Sequence, residues 1–71
     1  MDDLRDIRRE VESTTNKNAS IEHITNYGTF VEVETNDEIS LEKIDDIRHE
    51  TNCVIQIVDS EFDDSTRYRF R

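Results

Sequence analysis

The sequence predicts an α+β fold: a two-layer αββαββ sandwich in which a four-stranded antiparallel sheet carries two helices on one face. Two stretches, residues 2–13 and 41–51, have apolar residues at helical spacing. Each stretch is followed by segments with the composition of two short strands joined by a turn. The 71 residues include one glycine and no proline, and no stretch resembles a linker. We therefore expect residues 1–71 to form one small domain.

The first helix is defined by Leu4, Ile7 and Val11, which fall at spacings of three and four residues and form a narrow apolar stripe. The aspartates near its start suit the positive end of the helix dipole. Residues 14–18 are polar and turn-prone, so we expect the helix to end there.

A β-hairpin is predicted next, with residues 26–28 as its connection and Gly28 in the left-handed conformation. The expected register places Glu22 opposite Glu32. One face of the hairpin then carries the candidate core residues Ile21, His23, Val31 and Val33. The other face carries Glu22, Ile24, Phe30, Glu32 and Glu34.

The second helix is expected to begin after Ser40, a good N-cap residue, and to end at Asn52, which suits a left-handed position. Residues 53–58 form the most β-prone run of the chain, so a buried strand should follow the helix almost without a loop. The apolar stripe of the helix is predicted to consist of Leu41, Ile44 and Ile47.

The last strand, predicted over residues 66–71, alternates between arginines and residues suited to the core. We expect Tyr68 and Phe70 to face the core and the three arginines to face the other side. Residues 59–65 form an acidic loop before this strand, and Phe62 is expected to anchor that loop to the core.

The sheet face without helices is a candidate interaction face, because it mixes apolar and charged side chains. Glutamate–arginine pairs across the strands could leave this face solvated. Alternatively, a second copy could pack against the sheet in a homodimer, sheet to sheet or edge to edge. The predicted face consists of Ile24, Phe30, Glu32, Glu34, Val54, Gln56, Arg67 and Arg69.

Acidic residues outnumber basic ones by 18 to 9, which gives a formal net charge of −9 at pH 7. Only Lys17 and Lys43 among the basic residues are lysines. This acidic, lysine-poor composition is typical of extreme halophiles, where molar salt shortens the Debye length to about 3 Å. We therefore expect a halophilic protein, from an archaeon or its virus, whose charges oppose compaction at low ionic strength.

A soluble, cytoplasmic protein is expected. Cys53 is the single cysteine, so the chain cannot form an intramolecular disulfide, as is usual in a reducing compartment. The sequence shows no charged-then-apolar leader, and its apolar runs are too short to cross a membrane.

The residue patterns of enzymes and metal sites are not found in the sequence. His23, His49 and Cys53 match no zinc spacing. The acidic residues 59–64 lack the central glycine and terminal glutamate of an EF-hand loop. No phosphate-binding glycine loop or activated-nucleophile motif is present. We therefore expect no catalytic residue, metal, cofactor or small-molecule substrate.

Residues 44–57 read IDDIRHETNCVIQI, which resembles the helix-to-strand segment of K-homology (KH) RNA-binding domains. The matching positions are Ile47, Arg48, Thr51, Ile55 and Ile57, with Asn52 in place of the usual glycine. The resemblance implies RNA binding through a GXXG loop, which would fall on residues 38–41. These residues contain no glycine and begin with Glu38, whose carboxylate repels phosphate.

Three functions follow from these observations, and the first is favoured: a small non-catalytic interaction or regulatory accessory domain that binds a second copy or a protein partner. The second is an acidic nucleic-acid mimic that inhibits a nucleic-acid-binding protein. A one-sided cluster of carboxylates favours this mimic, whereas an even spread favours halophilic solvation. Its candidate carboxylates are Asp3, Asp6, Glu10, Glu42, Asp45, Asp46, Asp59, Asp63 and Asp64.

The third is a degenerate KH-like nucleic-acid binder that uses Arg67, Arg69 and Arg71. Nucleic acid is the disfavoured partner, because binding to phosphates needs a basic surface.

Overall fold

A computed structural model describes residues 3–71 and gives the predicted αββαββ order. The elements are α1 (Leu4–Thr15), β1 (Ser20–Ile24), β2 (Gly28–Thr35), α2 (Leu41–Thr51), β3 (Ile55–Asp59) and β4 (Thr66–Phe70). The strands form one antiparallel sheet in the order β1-β2-β4-β3. The predicted α+β fold is therefore confirmed, whereas the predicted helix start at residue 2 lies outside the described residues.

The topology is symmetric about the centre of the sheet. Each αββ half contributes one inner strand, β2 or β4, and one edge strand, β1 or β3. The two halves join where β2 pairs with β4, and α1 also packs against α2. The sheet therefore has two topologically equivalent edges, whose side chains differ. The prediction of a buried strand over residues 53–58 was wrong, because β3 begins at Ile55, lies at an edge of the sheet and has no fully buried residue.

Both helices end in the same way, with a threonine followed by an asparagine. The hydroxyls of Thr15 and Thr51 each donate a hydrogen bond of 2.6 Å to the carbonyl four residues earlier. Asn16 and Asn52 then adopt left-handed backbone angles, with φ values of 57° and 54°. An asparagine tolerates this conformation better than most residues, so each helix stops at a defined point.

The start of α2 is confirmed at Ser40, whose hydroxyl accepts the backbone N–H of Lys43 at 3.3 Å. The predicted stripe was wrong at Leu41, which is 75% exposed. Leu41 occupies the first helical turn, while the buried face of α2 is formed further along the helix by Ile44, Ile47 and Thr51.

The hydrophobic core lies between the helices and one face of the sheet. The inner strands contribute the predicted residues Val31, Val33, Tyr68 and Phe70, all of them buried. Tyr68 also makes a buried hydrogen bond, because its hydroxyl accepts the backbone N–H of Ile39 at 3.1 Å. The helices contribute Ile7, Val11, Ile44 and Ile47.

The prediction that Ile21 and His23 belong to the core was wrong. Both lie on the expected side of the sheet, but every residue of β1 is exposed because β1 is an edge strand. Phe62 was also expected to contact the core, yet it is 98% exposed in the loop before β4.

The first hairpin is shifted by two residues from the predicted register. Its turn consists of residues 25–27, with Asn26 in a left-handed conformation, and Gly28 pairs with Ile24. A shift of two keeps every side chain on its predicted face. Glu22 now lies opposite Phe30 instead of Glu32, so the observed register avoids a pair of like charges.

Candidate interaction face and sheet edges

The open face of the sheet, defined as the face without helices, contains all eight residues of the predicted interaction face. Ile24 and Phe30 belong to its first hairpin. Val54 joins the face just before β3, because it exchanges two backbone hydrogen bonds with Arg71, at 2.6 and 2.9 Å. One row across the sheet is Ser20, Glu32, Arg69 and Gln56, and the next is Glu34, Arg67 and Val58.

Two ion pairs connect β2 to β4 on this face. The Arg69 Nε lies 3.1 Å from a Glu32 carboxylate oxygen, and both side chains are mostly shielded from water. The Arg67 Nε lies 3.2 Å from the Glu34 carboxylate, but this second pair is exposed. Exposed pairs contribute only about 0–1 kcal/mol, so the shielded pair is the more important one for the geometry of the face.

Phe30 is buried on the open face because neighbouring side chains cover it. Tyr27 packs against it edge to face, with ring centroids 5.3 Å apart and planes at 86°. The guanidinium of Arg69 lies 4.9 Å from the Phe30 centroid and thus makes a cation–π contact as well as its ion pair. The prediction that Phe30 is an exposed contact residue was therefore wrong.

Tyr27 is the residue of this face that sequence reasoning missed. It leaves the first hairpin turn and crosses the sheet, so that its hydroxyl donates a hydrogen bond to Gln56 in β3. Arg71 completes the cluster: its guanidinium donates to the Tyr27 carbonyl and lies 4.5 Å from the Tyr27 ring. An aromatic residue in a tight turn was the available signal, since turns favour glycine, asparagine, aspartate, serine and proline.

The open face is electrically balanced. It carries three carboxylates and three guanidiniums, from Glu22, Glu32, Glu34, Arg67, Arg69 and Arg71. The net charge of −9 therefore originates elsewhere in the chain. We call the open face together with the two sheet edges the sheet side. It is the part of the molecule that another acidic chain can approach with least repulsion.

Exposed apolar side chains remain at the two edges of this balanced sheet. On β1, Ile21 and Ile24 are partly exposed on opposite faces. At the β3 edge, Val54 is 69% exposed on the open face and Ile57 is 52% exposed on the helix face. Both edges also present backbone groups without a neighbouring strand in the described sheet.

The candidate metal-ligand residues are dispersed over different elements. His23 lies on β1 with its Nδ1 at 3.0 Å from the Thr29 hydroxyl. His49 is exposed on α2 and borders a shallow depression together with the buried Cys53. Within residues 3–71, no three His, Cys, Asp or Glu side chains are grouped so that they could hold a metal ion.

The acidic loop before β4 is organised by its own hydrogen bonds. The hydroxyl and the backbone N–H of Ser65 both donate to the Asp63 carboxylate, the latter at 2.9 Å. These bonds, with a smaller contribution from the Ser60 hydroxyl, hold the pKa of Asp63 below its ordinary value. At the base of the loop, the Thr66 hydroxyl donates to Asp59 at 3.3 Å.

The candidate carboxylates of the acidic mimic all lie away from the open face: on the helices, at the N-cap residue Asp3, at Asp59 at the end of β3, and in the loop that follows. Those of α1 are interspersed with arginines, including an Arg8–Glu12 pair at 3.6 Å. Asp6, Glu10 and Glu50 border a shallow groove between α1 and α2, which also contains Arg9. These carboxylates thus avoid the open face but are spread over both helices, the end of β3 and the loop, and on α1 they are partly neutralised.

A larger groove lies at one end of the molecule and has a volume of about 620 Å³. Leu4, Ile7 and Cys53 supply apolar walls, and Arg71 lies at its border. Arg71 is already engaged with Tyr27, and among the described residues no buried side-chain polar atom lacks a partner. The groove therefore offers no set of polar groups directed at a ligand.

The sequence matches no protein-family model, no curated protein and no solved structure. The KH resemblance thus has no support from these comparisons. Across residues 3–71, no helix combines the length and the apolar character needed to cross a membrane.

Proposed function

We propose that this chain is a small non-catalytic interaction domain of a halophilic protein, and that it binds a second copy or a protein partner through its sheet side. The observation that carries the proposal is the distribution of charge: the open face is balanced, while the excess of carboxylates lies on the helices and loops. In this proposal the acidic surface keeps the domain hydrated in molar salt, and the sheet side makes the contacts.

The salt concentration determines whether the acidic surface can serve hydration while the sheet side makes contacts. In dilute buffer, repulsion among carboxylates opposes both compaction and the approach of an acidic partner. In molar salt the Debye length falls to about 3 Å, so repulsion beyond direct neighbours is screened. Burial of apolar surface at the sheet edges can then favour association.

An amide NMR fingerprint, titrated from about 0.1 M to about 3 M KCl, tests the proposal. We expect dispersed signals of a folded domain to appear or sharpen only as salt rises. A domain that is fully folded at the lowest salt, with no further change on titration, would contradict the halophilic role of the carboxylates. The same titration in NaCl solutions of equal ionic strength controls for effects specific to potassium.

The second candidate is an acidic mimic that occupies a basic groove on a nucleic-acid-binding protein. It is favoured by the absence of these carboxylates from the open face and by the groove that Asp6, Glu10 and Glu50 border between the helices. Such a complex would weaken steeply as salt rises. Full folding at low salt in the same titration would make this candidate the leading one.

The KH-like candidate gains no such support from Arg67, Arg69 and Arg71. Arg67 and Arg69 pair with carboxylates of β2, and Arg71 contacts Tyr27. The three arginines are therefore engaged within the chain and do not form the free basic strip that binding to a phosphate backbone requires.

A further inference from the structure

The pairing of β3 with β4 determines which backbone groups of β3 face outward. Val54 exchanges both hydrogen bonds with Arg71, and the N–H of Ser60 donates to Ser65 at 3.1 Å. Hydrogen-bonded and non-hydrogen-bonded pairs alternate along an antiparallel ladder. Residues 54, 56, 58 and 60 therefore direct their N–H and C=O groups toward β4. Residues 55, 57 and 59 direct theirs to the outer edge.

Apart from Asp59 at the end of β3, this outer edge lacks the usual protection against strand pairing. Edge strands are commonly shielded by a charged side chain, a proline or a bulge. Residues 54–58 read VIQIV, without charge or proline, and their ladder to β4 continues without a bulge. The equivalent edge strand β1 carries Glu22 at its centre, where antiparallel self-pairing would bring two carboxylates together.

We infer that the outer edge of β3 pairs antiparallel with the same edge of a second copy, with the two-fold axis at Gln56, to form a continuous eight-stranded sheet. This inference rests on the proposed function, because it names the partner that the sheet side binds. In this pairing the balanced open faces of two chains of charge −9 lie side by side, so neither sign of charge accumulates on that face of the joint sheet.

The register follows from the residues that this symmetry places opposite one another. Gln56 faces the partner's Gln56, Ile55 faces the partner's Ile57, and Val54 faces the partner's Val58. Ile55 of each copy forms a hydrogen-bonded pair with the partner's Ile57, because the backbone groups of both residues point outward. Asp59 then lies beyond the uncharged segment. Moving the axis to Ile57 would instead place Asp59 opposite the partner's Ile55.

Sedimentation velocity in about 3 M KCl, from micromolar to millimolar protein, tests the dimer and its location. We expect a dimer that dissociates on dilution. Ile57→Lys should raise its dissociation constant by at least about tenfold, because two lysines would face this interface. Ile21→Lys is the matched control, since Ile21 is also a partly exposed isoleucine on the helix face of an edge strand. The amide fingerprint of both variants verifies that they fold.

Disulfide crosslinking tests the register. In a Cys53→Ala background, Gln56→Cys should give a covalent dimer on mild oxidation. The Cα atoms of a non-hydrogen-bonded pair lie about 4.5 Å apart, within the range that a disulfide spans. Glu22→Cys in the same background places the cysteine at the centre of β1, outside this interface, and should give no covalent dimer.

A chain that remains monomeric up to millimolar concentration in high salt would overturn the inference. A dimer that tolerates Ile57→Lys, or that crosslinks through Glu22→Cys and not through Gln56→Cys, would also overturn it. These results would leave the salt-dependent interaction domain standing, because the KCl titration of the fold tests that proposal separately.

Discussion

Phe30 contributes to stability from the face of the sheet that has no helix layer. Tyr27 and Arg69 cover its ring, so its removal would leave a cavity between them. We expect Phe30→Ala to lower the free energy of unfolding by about 3–5 kcal/mol, measured by chemical denaturation in high salt. Ile24→Ala, at a partly exposed position of the same face, should cost less than about 1 kcal/mol. Equal effects of the two variants would contradict this role of Phe30.

The hydroxyl of Tyr68 provides the partner for a buried backbone N–H. Tyr68→Phe keeps the ring but leaves the N–H of Ile39 without its acceptor. We expect a loss of about 1–3 kcal/mol in the free energy of unfolding, determined from thermal and denaturant melts. Tyr27→Phe removes a hydroxyl hydrogen bond at an exposed position and should have the smaller effect. A Tyr68→Phe variant with an unchanged free energy of unfolding would show that water replaces the lost hydrogen bond.

The sequence allowed us to predict which residues lie on the open face, but not which of them are buried. Alternation along the strands depends only on the two-residue period, so Glu32, Glu34, Arg67 and Arg69 were assigned correctly to one face. The burial of Phe30 depends on Tyr27, which reaches it from a turn. The path of a side chain out of a turn is set by tertiary contacts and has no periodic signal.

At the scale of secondary-structure elements, the two asparagines define where the helices end. Asn16 and Asn52 have left-handed backbone angles that a residue with an ordinary side chain adopts at a cost of about 1–2 kcal/mol. We therefore expect Asn16→Ala and Asn52→Ala each to destabilise the fold by about 1 kcal/mol, measured by urea denaturation. Asn→Gly at either position should retain or increase stability. An alanine variant as stable as the glycine variant would argue against a strained helix end.

The loop between β3 and β4 should respond to acid through Asp63. Its carboxylate accepts two hydrogen bonds from Ser65, which lower its pKa in the folded state. A lowered folded-state pKa means that the stabilisation is present above the ordinary value of about 3.9 and is lost as pH falls through the lowered pKa. The amide chemical shift of Ser65 should report this step, and Asp63→Asn should remove it. A midpoint at or above the ordinary value would contradict the assignment.

Element type and order could be predicted because local signals agree with the tertiary structure: helical spacing, the Ser40 cap and alternation along β4. The register of the first hairpin could not be obtained from turn preferences alone. Two turns of three residues were possible, and both kept Val31 and Val33 on the core face. The observed choice places Glu22 opposite Phe30 instead of Glu32, and this avoidance of a like-charge pair is not contained in turn preferences.

For the whole molecule, the excess charge should govern stability at low salt. Asp46→Asn with Glu61→Gln removes two exposed carboxylates. We expect a gain of about 0.5–1 kcal/mol in dilute buffer, because repulsion falls, and no gain in molar KCl. Thermal melts at the two salt concentrations measure the difference. Lys43→Gln increases the net negative charge and should therefore lower the stability at low salt. Salt-independent effects would mean that local contacts, and not the net charge, determine the result.

The symmetric topology also has a consequence for the kinetics of folding. Each αββ half closes through short connections, whereas β2 and β4 join segments from opposite halves of the chain. Local contacts form faster because less loop entropy is lost in making them. The chain has no proline, so prolyl isomerisation cannot delay either half. We therefore expect the encounter of two largely formed halves to limit refolding, in a single phase whose rate increases with salt.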